Sequence, residues 1–526
     1  MIRYTSQKQL NIEGFDTPFE KQLDANNRWV KLGQCIPWDD LAAAYHRNLS
    51  AGQGRPSKDA RLVIGAVIIK HKLCLSDEET VQQIRENPYL QYFVGLAGYQ
   101  NQAPFVPSLL VEIRRRMGNE TFAHFHQAIL DAMDARRAKA NRKGSDRQDD
   151  DPSDQGGHGP VLEDVPEPQA ADDQREVTEG HAGKLILDAT VVEQAIRYPT
   201  DLSLLNESRE ISEKIIDVLY PQTQWDKKPR TYRQQARKAY LAIVKRRRPG
   251  ARIVRKGNKQ QLQYVRRNLK HIDRLLDAIA GDAIPLPGPL LHKYWVIQQL
   301  YAQQAQMHQT KTKRCDDRIV SIHQPHVRPM VRGKANKKVE FGAKLSVSLN
   351  GDGIAGVDHI RWDAYHEGLD LPAQVETYKQ RYGHYPEAVL GDPLYGTRDN
   401  RAYLKSKKIR FAGKPLGRPA KLTTQNREEL KRLKQQRREE YRQRIPIEGK
   451  FGQGKSGYGL GYIRAKTART SEAWINSIFL VMNLLVLLKV FIWLHKKIVE
   501  YAKWALRAAL KYCLAQQHPF KRCMLG

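Results

Sequence analysis

The stretch KLILDATVV, residues 184–192, decides what kind of fold this sequence can form. Its apolar residues continue on both sides of Asp188, without the alternation of a half-exposed strand. Such a run is typical of a central strand whose sheet is covered on both faces. The stretch therefore predicts a sheet with helices on each side, and it places the carboxylate of Asp188 at the end of a buried strand.

The residues that follow predict an α/β domain. The turn Asn350–Gly353 is a hairpin signal. Three strands of antiparallel character, followed by alternating helices and strands, indicate a mixed sheet. Strand patterns lie at 317–322 (DRIVSI), 339–349 (VEFGAKLSVSL), 354–364 (IAGVDHIRWDA), 387–392 (EAVLGD) and 409–414 (IRFAGK), and helical patterns at about 373–382 and 397–407.

The charge of the chain points to a polyanionic partner. Its 526 residues include 88 Lys and Arg against 57 Asp and Glu, a formal net charge of +31. An excess of this size most often indicates nucleic acid, with an anionic membrane surface as the other reading. The five cysteines are scattered without a C-x-x-C pair, which suits a reducing cytosol and predicts neither a zinc site nor a disulfide framework.

One segment near the C-terminus is long and apolar enough to raise the question of a membrane. Residues 477–494 (SIFLVMNLLVLLKVFIWL) hold 15 apolar residues in 18. Asn483 and Lys489 interrupt them, and polar residues are costly inside a bilayer. We therefore expect a buried helix at a core or dimer interface, and no membrane association. The polar N-terminus is not a signal peptide.

Composition divides the chain into regions. Residues 1–137 read as a helical N-terminal DNA-binding domain, in which Ser76 and Glu79 form a capping box between two helices. Such a pair suits a DNA-binding helix-turn-helix or an ordinary helical bundle. Residues 138–182 form an acidic linker, with 12 acids and 2 arginines between residues 146 and 179. Such a segment cannot bury enough apolar surface to fold alone.

A long insertion, at about 202–315, carries the strongest charge signal. Between Lys227 and Ile272 there are 17 Lys or Arg and no Asp or Glu, with Tyr232, Tyr240 and Tyr264 interleaved. A run of charge is usually a solvated face, but so one-sided a run favours contact with a phosphate backbone. The insertion is predicted to be mainly helical.

Three carboxylates in separate regions suggest one site. Asp392 follows a second strand pattern, and strand ends are where ligands gather in α/β sheets. Glu448 lies on a predicted helix, where Tyr441, Arg444, Glu448 and Lys455 share one face at offsets of 0, 3, 7 and 14 residues. Carboxylates of this kind can hold two Mg²⁺ ions, which activate water and steady the leaving oxygen in phosphodiester cleavage.

Each acid also has an ordinary structural interpretation. Asp188 can cap a turn at a strand end, and Asp392 with its following proline can begin a loop. Glu448, close after Pro446, can favour a helix N-terminus. Glycines at 449, 452, 454 and 457 weaken the helix that the shared face requires, so a bend after Glu448 would remove Lys455 from the site.

The spacing Tyr441-x2-Arg444-x3-Glu448-x6-Lys455 resembles the Y-R-E-K signature of bacterial insertion-sequence DDE transposases. The contexts LILDATVVEQAIRYPTD and VLGDPLYGTRDNRAYL resemble the surroundings of the first two acids in the insertion sequence five and 1182-like group. Residues 318–349 are also similar to that group. The resemblance spans most of the chain, and its motifs are specific in combination.

The resemblance implies a ribonuclease H-like catalytic domain at 183–475, interrupted by the basic insertion and followed by C-terminal helices at 476–526. It implies Asp188, Asp392 and Glu448 as catalytic ligands of two Mg²⁺ ions, with Mn²⁺ as an alternative. Arg444 and Lys455 would contact phosphates of double-stranded DNA, at the transposon end, and Tyr441 would position that end.

The expected function is end cleavage and joining of the 3′-OH to target DNA. We expect a homodimer or higher oligomer on DNA, located in the bacterial cytoplasm and associated with the nucleoid. A ribonuclease H-like nuclease that never joins ends, or a nucleic-acid-binding protein with an inactive core, remains as an alternative.

Overall fold

The computed structural model describes residues 23–47, 49, 56–145, 180–279, 284–331, 339–417, 423 and 426–516. Its first part is helical, as predicted. The last of these helices passes the boundary predicted at residue 137, and the acidic stretch at 146–179 lies outside the described residues. The helices are α1 (Arg28–Cys35), α2 (Trp38–His46), α3 (Ala60–Leu73), α4 (Asp77–Glu86), α5 (Pro88–Phe93), α6 (Leu109–Arg116) and α7 (Asn119–Ser145).

The rest of the described chain mixes strands and helices. Short 3₁₀ turns lie at Tyr220–Gln222, Glu367–Asp370 and Pro393–Tyr395. The longer elements are β1 (Lys184–Glu193), α8 (Asp201–Leu219), α9 (Arg233–Val244), α10 (Ala251–Asp277), α11 (Gly288–Thr310), β2 (Arg328–Val331), β3 (Val339–Leu349), β4 (Ala355–Arg361), α12 (Leu371–Tyr382), β5 (Ala388–Leu390), α13 (Arg398–Ser406), β6 (Arg410–Ala412), α14 (Arg427–Gly457) and α15 (Ala468–Gln516).

The strands form one mixed sheet in the order β2-β3-β1-β5-β6, with β4 also paired to β3. β1 is antiparallel to β3 and parallel to β5, which is itself parallel to β6. The prediction of β1 as a central strand is therefore confirmed. Its end was misplaced, because β1 continues for five residues beyond Asp188, to Glu193.

The hairpin predicted at Asn350–Gly353 joins β3 to β4. The Asn350 N–H donates to the Ile354 carbonyl at 3.2 Å, and the Asn350 side-chain oxygen accepts the N–H groups of Asp352 and Ile354. An asparagine side chain that bonds the backbone just after it is a common way to fix such a turn. The strands predicted at 387–392 and 409–414 are also present, as β5 and β6.

The strand predicted at 317–322 was wrong. This segment is irregular, although Ile319 and Ile322 are buried among the insertion helices. The Ile319 N–H donates to the side chain of Gln303 at 2.9 Å, so a helix side chain replaces a strand partner. The strand lies later, at β2, where Pro329 is tolerated because β2 is an edge strand.

Both faces of the sheet are covered. On one face Leu185 and Leu187 of β1 pack against α12 and α13, through residues such as Val375 and Leu404. On the other face Ile186 and Val192 join a core that contains α14, α15 and the N-terminal helices. The N-terminal helices and the sheet thus share one continuous hydrophobic core.

The Ser76 cap is present, since its hydroxyl accepts the Glu79 N–H at 3.0 Å. The helix that it begins, α4, exposes Glu78, Glu79 and Glu86 to solvent. A face with this charge repels phosphates, so α4 does not suit the role of a recognition helix in the major groove. The charge favours the ordinary helical bundle over the helix-turn-helix.

The apolar C-terminal segment belongs to α15 and packs on the sheet. One helical span, Ala468–Trp493, is long and apolar enough to cross a membrane, but 61% of its most apolar window is buried within the protein. Asn483 accepts the Ala355 N–H at 3.0 Å and donates to the Ala355 carbonyl at 2.8 Å, which satisfies the backbone at the start of β4. A core helix passes the same test of length, so the span is weak evidence for a membrane.

In its described residues, 194–279 and 284–327, the segment between β1 and β2 contains four α-helices with a core of their own. The helices α8, α10 and α11 contribute Leu205, Val265 and Ile297 to this core, each fully buried. Two hydrogen bonds join the beginning of the insertion to its end. Arg318 donates to Asp201 at 2.6 Å, and Gln324 donates to the Ala195 carbonyl at 3.2 Å.

Candidate active site

Two of the three predicted acids lie side by side at the centre of the sheet. In the parallel pair β1–β5, Lys184 is opposite Ala388 and Ile186 is opposite Leu390. Continuing that register by two residues places Asp392 level with Asp188. Asp392 has just left β5, and its carboxylate accepts the Leu394 N–H at 3.1 Å. The predicted Asp-Pro turn is therefore present, and it holds Asp392 beside Asp188.

The third acid comes from α14, which lies across β1 and β5. This helix begins at Arg427 and contains Pro446, which has no N–H to donate to the preceding turn. It persists because Ile447 and Phe451 are buried in the core beneath the sheet. Tertiary packing of this kind supplies most of the stability of a helix in a protein.

The glycines do not bend the helix away, since α14 continues to Gly457. Gly454 allows close contact with the next helix: a Cβ there would lie 2.9 Å from Leu460 and 3.3 Å from Met482. The ordinary reading of Glu448, as a residue favouring a helix N-terminus, is wrong, because Glu448 is far from the start of α14 at Arg427.

A single guanidinium joins the strand acid to the helix acid. Arg444 Nη1 lies 3.1 Å from Asp188 Oδ2, and Arg444 Nη2 contacts Glu448 Oε1. The side chains of Arg444 and Asp188 are only 13% and 16% exposed, whereas that of Glu448 is 49% exposed. Arg444 is thus mostly withdrawn from solvent, while one carboxylate of the site faces outward.

The three carboxylates and Arg444 form one electrostatic unit. Burial raises the pKa of Asp188, and the nearby carboxylates of Glu448 and Asp392 raise it further, whereas the Ala189 N–H and Arg444 lower it. Burial opposes the charge of Arg444, but attraction to the same three carboxylates outweighs it, so the pKa of Arg444 is raised. Carboxylates close together in a partly buried site are costly unless a cation compensates their charge.

The other two residues of the predicted face have different surroundings. Tyr441 is 60% exposed, and its ring centroid lies 5.6 Å from the Arg444 guanidinium carbon. Lys455 is half-buried, about two helical turns beyond Glu448. The structure therefore brings Tyr441 to the edge of the site, and places Lys455 further along the same helix.

The contact between Arg444 and Asp188 is one that the sequence did not indicate. An alternative pairing of Arg444 with Glu440 is absent, because Glu440 contacts Arg410 of β6 instead. Two further contacts fix α14 against the sheet: Lys184 Nζ donates to Gln443 at 2.9 Å, and Lys450 Nζ donates to the Gly353 carbonyl at 2.9 Å. Sequence periodicity identifies the face of a helix, but not the partner on another strand.

The carboxylates of Asp188, Asp392 and Glu448 are suitable ligands for a hard divalent cation, but in this structure they are too far apart to bind one ion together. Carboxylate oxygens are the ligands that Mg²⁺ prefers. Within the described residues, no group of three or more His, Cys, Asp and Glu side chains is close enough to hold a metal ion. Arg444 lies between Asp188 and Glu448, so metal binding by all three acids requires Arg444 to move aside.

Comparison with known proteins identifies two segments of the chain. Residues 389–485 match the family model of the transposase DDE domain, and residues 17–116 match that of a transposase domain (DUF772). These two segments therefore resemble transposase domains. The DDE domain match includes Asp392, Arg444 and Glu448, whereas Asp188 precedes it.

One curated relative, the uncharacterized protein ORF8 in the nfe locus of Rhizobium meliloti, is 34% identical over 121 residues. The match covers 22% of this chain and 56% of the relative, so the chain spans just over half the length of that protein. No solved structure matches.

Proposed function

We propose that this chain is an insertion-sequence DNA transposase of the DDE type, which cleaves the ends of its element and joins the freed 3′-OH ends to target DNA. One observation carries the proposal: Arg444 links Asp188 to Glu448, while Asp392 follows β5, the parallel neighbour of the strand that carries Asp188. The two transposase matches support the same class of enzyme.

The proposed catalytic core is ribonuclease H-like. Its support is the sheet itself, in which an antiparallel set, β1, β3 and β4, is followed by parallel strands β5 and β6. The domain division proposed from the sequence (a catalytic region at 183–475 with an insertion at about 202–315) goes with this core. Assignment to the insertion sequence five and 1182-like group is part of the proposal.

We assign Asp188, Asp392 and Glu448 as ligands of two divalent ions, Mg²⁺ with Mn²⁺ as an alternative. When bound, such ions supply an activated water and stabilise the leaving oxygen in an in-line displacement at phosphorus. The chain positions the ligands: β1 and the Asp392 turn fix two carboxylates, and α14 carries the third on its exposed side.

The cations of α14 are assigned to DNA. Arg444 has a planar fork that suits a phosphate as well as a carboxylate. If Asp188 and Glu448 held divalent ions, the guanidinium of Arg444 would be free to bind a phosphate instead. Tyr441 is exposed beside it and can contact the sugar-phosphate backbone, and Lys455 would contact phosphate further along the same helix.

The partner is double-stranded DNA, both transposon ends and target, and we place the protein in the bacterial cytoplasm as a homodimer or higher oligomer on DNA. The formal charge of +31 supports this partner.

The test is a joining assay with the full chain, Mg²⁺, labelled duplex from the ends of the gene-flanking element, and a plasmid target. Transposase activity predicts labelled DNA covalently joined to the plasmid. Cut ends without joined product would indicate the alternative nuclease. Binding without cutting would indicate a nucleic-acid-binding protein with an inactive core, and would refute the proposal.

A further inference from the structure

One side of α10 carries a row of cations. The row, called here the α10 stripe, has offsets of 0, 4, 7, 14 and 18 residues, which share one face of a helix. All of its members are exposed. The opposite side of α10 is apolar and buried in the insertion core. The stripe consists of Arg252, Lys256, Lys259, Arg266 and Lys270.

The stripe is not neutralised by the protein. Acids of α8 do pair with cations elsewhere in the insertion: Asp217 lies 2.6 Å from Lys228 and 2.7 Å from Arg233. Within the part of the chain that the structure describes, none of the five stripe residues forms a salt bridge. A row of like charges left in this state repels itself, and an external polyanion would relieve that repulsion.

The helix that carries the stripe packs closely against α8 and α9. Where α10 crosses α9 and α8, a Cβ at Gly257 would lie 2.3 Å from the terminal carbon of Ile243 and 3.3 Å from that of Leu202, so the three helices are in close contact there. The segment before α9 also contacts α10, because the Tyr232 ring centroid lies 4.4 Å from the guanidinium carbon of Arg267 and 5.1 Å from that of Arg230. The charges are therefore presented by a rigid surface.

The packed helices α8, α9 and α10 begin close to the sheet that carries the proposed site. Leu202 forms a small core with Tyr240 and Ile243 of α9, and it lies in the first turn of α8. That turn follows the end of β1, at Glu193, by only a short connection. The crossing of α8, α9 and α10 is thus linked closely to the strand that carries Asp188.

We propose that the α10 stripe binds the phosphate backbone of duplex DNA outside the segment that is cut, without reading its sequence. From Arg252 to Lys270 the stripe extends about 27 Å along the helix, a length of roughly eight base pairs at about 3.4 Å each. Its face offers cations rather than the aromatic and apolar anchors at the centre of a protein interface. This inference rests on the proposed function for the identity of its ligand.

The test compares two double variants of the full chain, each lacking two cations of the insertion. Lys256→Gln with Lys259→Gln removes unpaired charges from the stripe. Lys228→Gln with Arg233→Gln removes charges that are already paired with Asp217. Affinity for a short duplex of unrelated sequence is measured in EDTA between about 50 and 200 mM salt, where backbone binding changes most.

We expect the stripe variant to bind more weakly and to lower the log–log salt slope by up to about 1.8, since each phosphate contact contributes roughly 0.9. The control variant should retain the wild-type slope. Equal losses of DNA affinity in both variants would mean that binding depends only on net charge. No loss of affinity in either variant would mean that the α10 stripe is only a solvated face. Either result overturns the proposal.

Two further measurements complete the design. Stripe-dependent binding to vesicles containing phosphatidylserine, without binding to DNA, would also overturn it in favour of a lipid surface. Because binding is measured in EDTA, it does not depend on catalysis: an inactive protein whose slope still depends on the stripe would refute the proposed enzyme and support this inference. Circular dichroism of both variants confirms that α10 remains folded.

Discussion

Arg444 and Asp188, separated by 256 positions in the sequence, form an ion pair at 3.1 Å across the interface between α14 and β1. The same guanidinium contacts Glu448, so one cation serves two of the proposed metal ligands. In this arrangement Arg444 is the counter-ion of both carboxylates. If divalent ions took over that role, as proposed, the guanidinium would be free to bind a phosphate.

This relationship predicts different outcomes for two substitutions of Arg444. Arg444→Lys keeps the charge but cannot bridge two groups with a planar fork. We expect it to retain most DNA affinity and to lose cleavage at transposon ends on the order of 10²-fold, as when one preorganised donor is removed from an active site. Arg444→Ala should lose both. Cleavage rates at saturating DNA measure the effect, and near-normal rates for Arg444→Ala would exclude a role for this residue.

A second prediction concerns Asp392. Asp392→Ala should abolish Mg²⁺-dependent cleavage while DNA binding largely survives, because binding depends mainly on the cations. Asp399→Ala, an exposed acid at the start of α13, is the matched control and should cut normally. The same loss is expected for Asp188→Ala and Glu448→Ala. If Asp392→Ala cut DNA as fast as wild type, the assignment of the metal ligands would be wrong.

The buried lysine of α14 gives a prediction about pH. Burial lowers the pKa of Lys450 to about 8, and the charge of Lys489 adds to the effect. The unfolded chain therefore keeps this proton up to a higher pH than the folded chain does. Between pH 8 and the ordinary lysine pKa, the contribution of Lys450 to stability must rise with pH, by a total on the order of 3 kcal/mol.

Lys450→Met, which removes the buried charge, should therefore stabilise the protein most at neutral pH and least near about pH 10. Urea unfolding midpoints of wild type and variant at the two pH values measure this difference. Lys434→Met, at an exposed position of the same helix, is the control and should show no such trend. A difference between wild type and Lys450→Met that does not change with pH would contradict the burial of a charged Lys450.

A fourth prediction separates a core helix from a membrane span. Asn483→Leu makes α15 more apolar, so it would strengthen insertion into a bilayer. In the fold described here it removes both hydrogen bonds to Ala355, which are buried. Buried backbone groups left unpaired cost about 1–3 kcal/mol each, so we expect a lower unfolding midpoint. An unchanged midpoint together with increased recovery in the membrane fraction would favour the span.

The sequence was most informative where local pattern and tertiary role agree. The apolar run around Asp188 and the turn at Asn350 are each determined by the residues within them, and both predictions were confirmed. The pattern at 317–322 failed because Ile319 and Ile322 are buried by insertion helices that lie elsewhere in the sequence. A short apolar pattern that becomes buried does not reveal whether it forms a strand or an irregular segment covered by helices.

The candidate site also combines features that the sequence predicts with contacts that depend on the tertiary fold. Carboxylates near strand ends and a helical face could be recognised as candidates from spacing alone, and the metal ligation assigned to them stays a prediction. The level pairing of Asp188 with Asp392 depends on the β1–β5 register, and the Arg444 contact depends on the angle at which α14 crosses the sheet. Neither quantity is encoded by residues that are neighbours in sequence.

The insertion also sets an order of events during synthesis of the chain. β1 is complete at Glu193, but its partner β3 begins only at Val339, so at about 5–20 residues per second the strand waits roughly 7–30 s for its neighbour. The insertion emerges in that interval and has a core of its own, so it can fold first and bring the two strand segments together. Glu448 follows still later, so a nascent chain brings the three proposed ligands together only after α14 has been made.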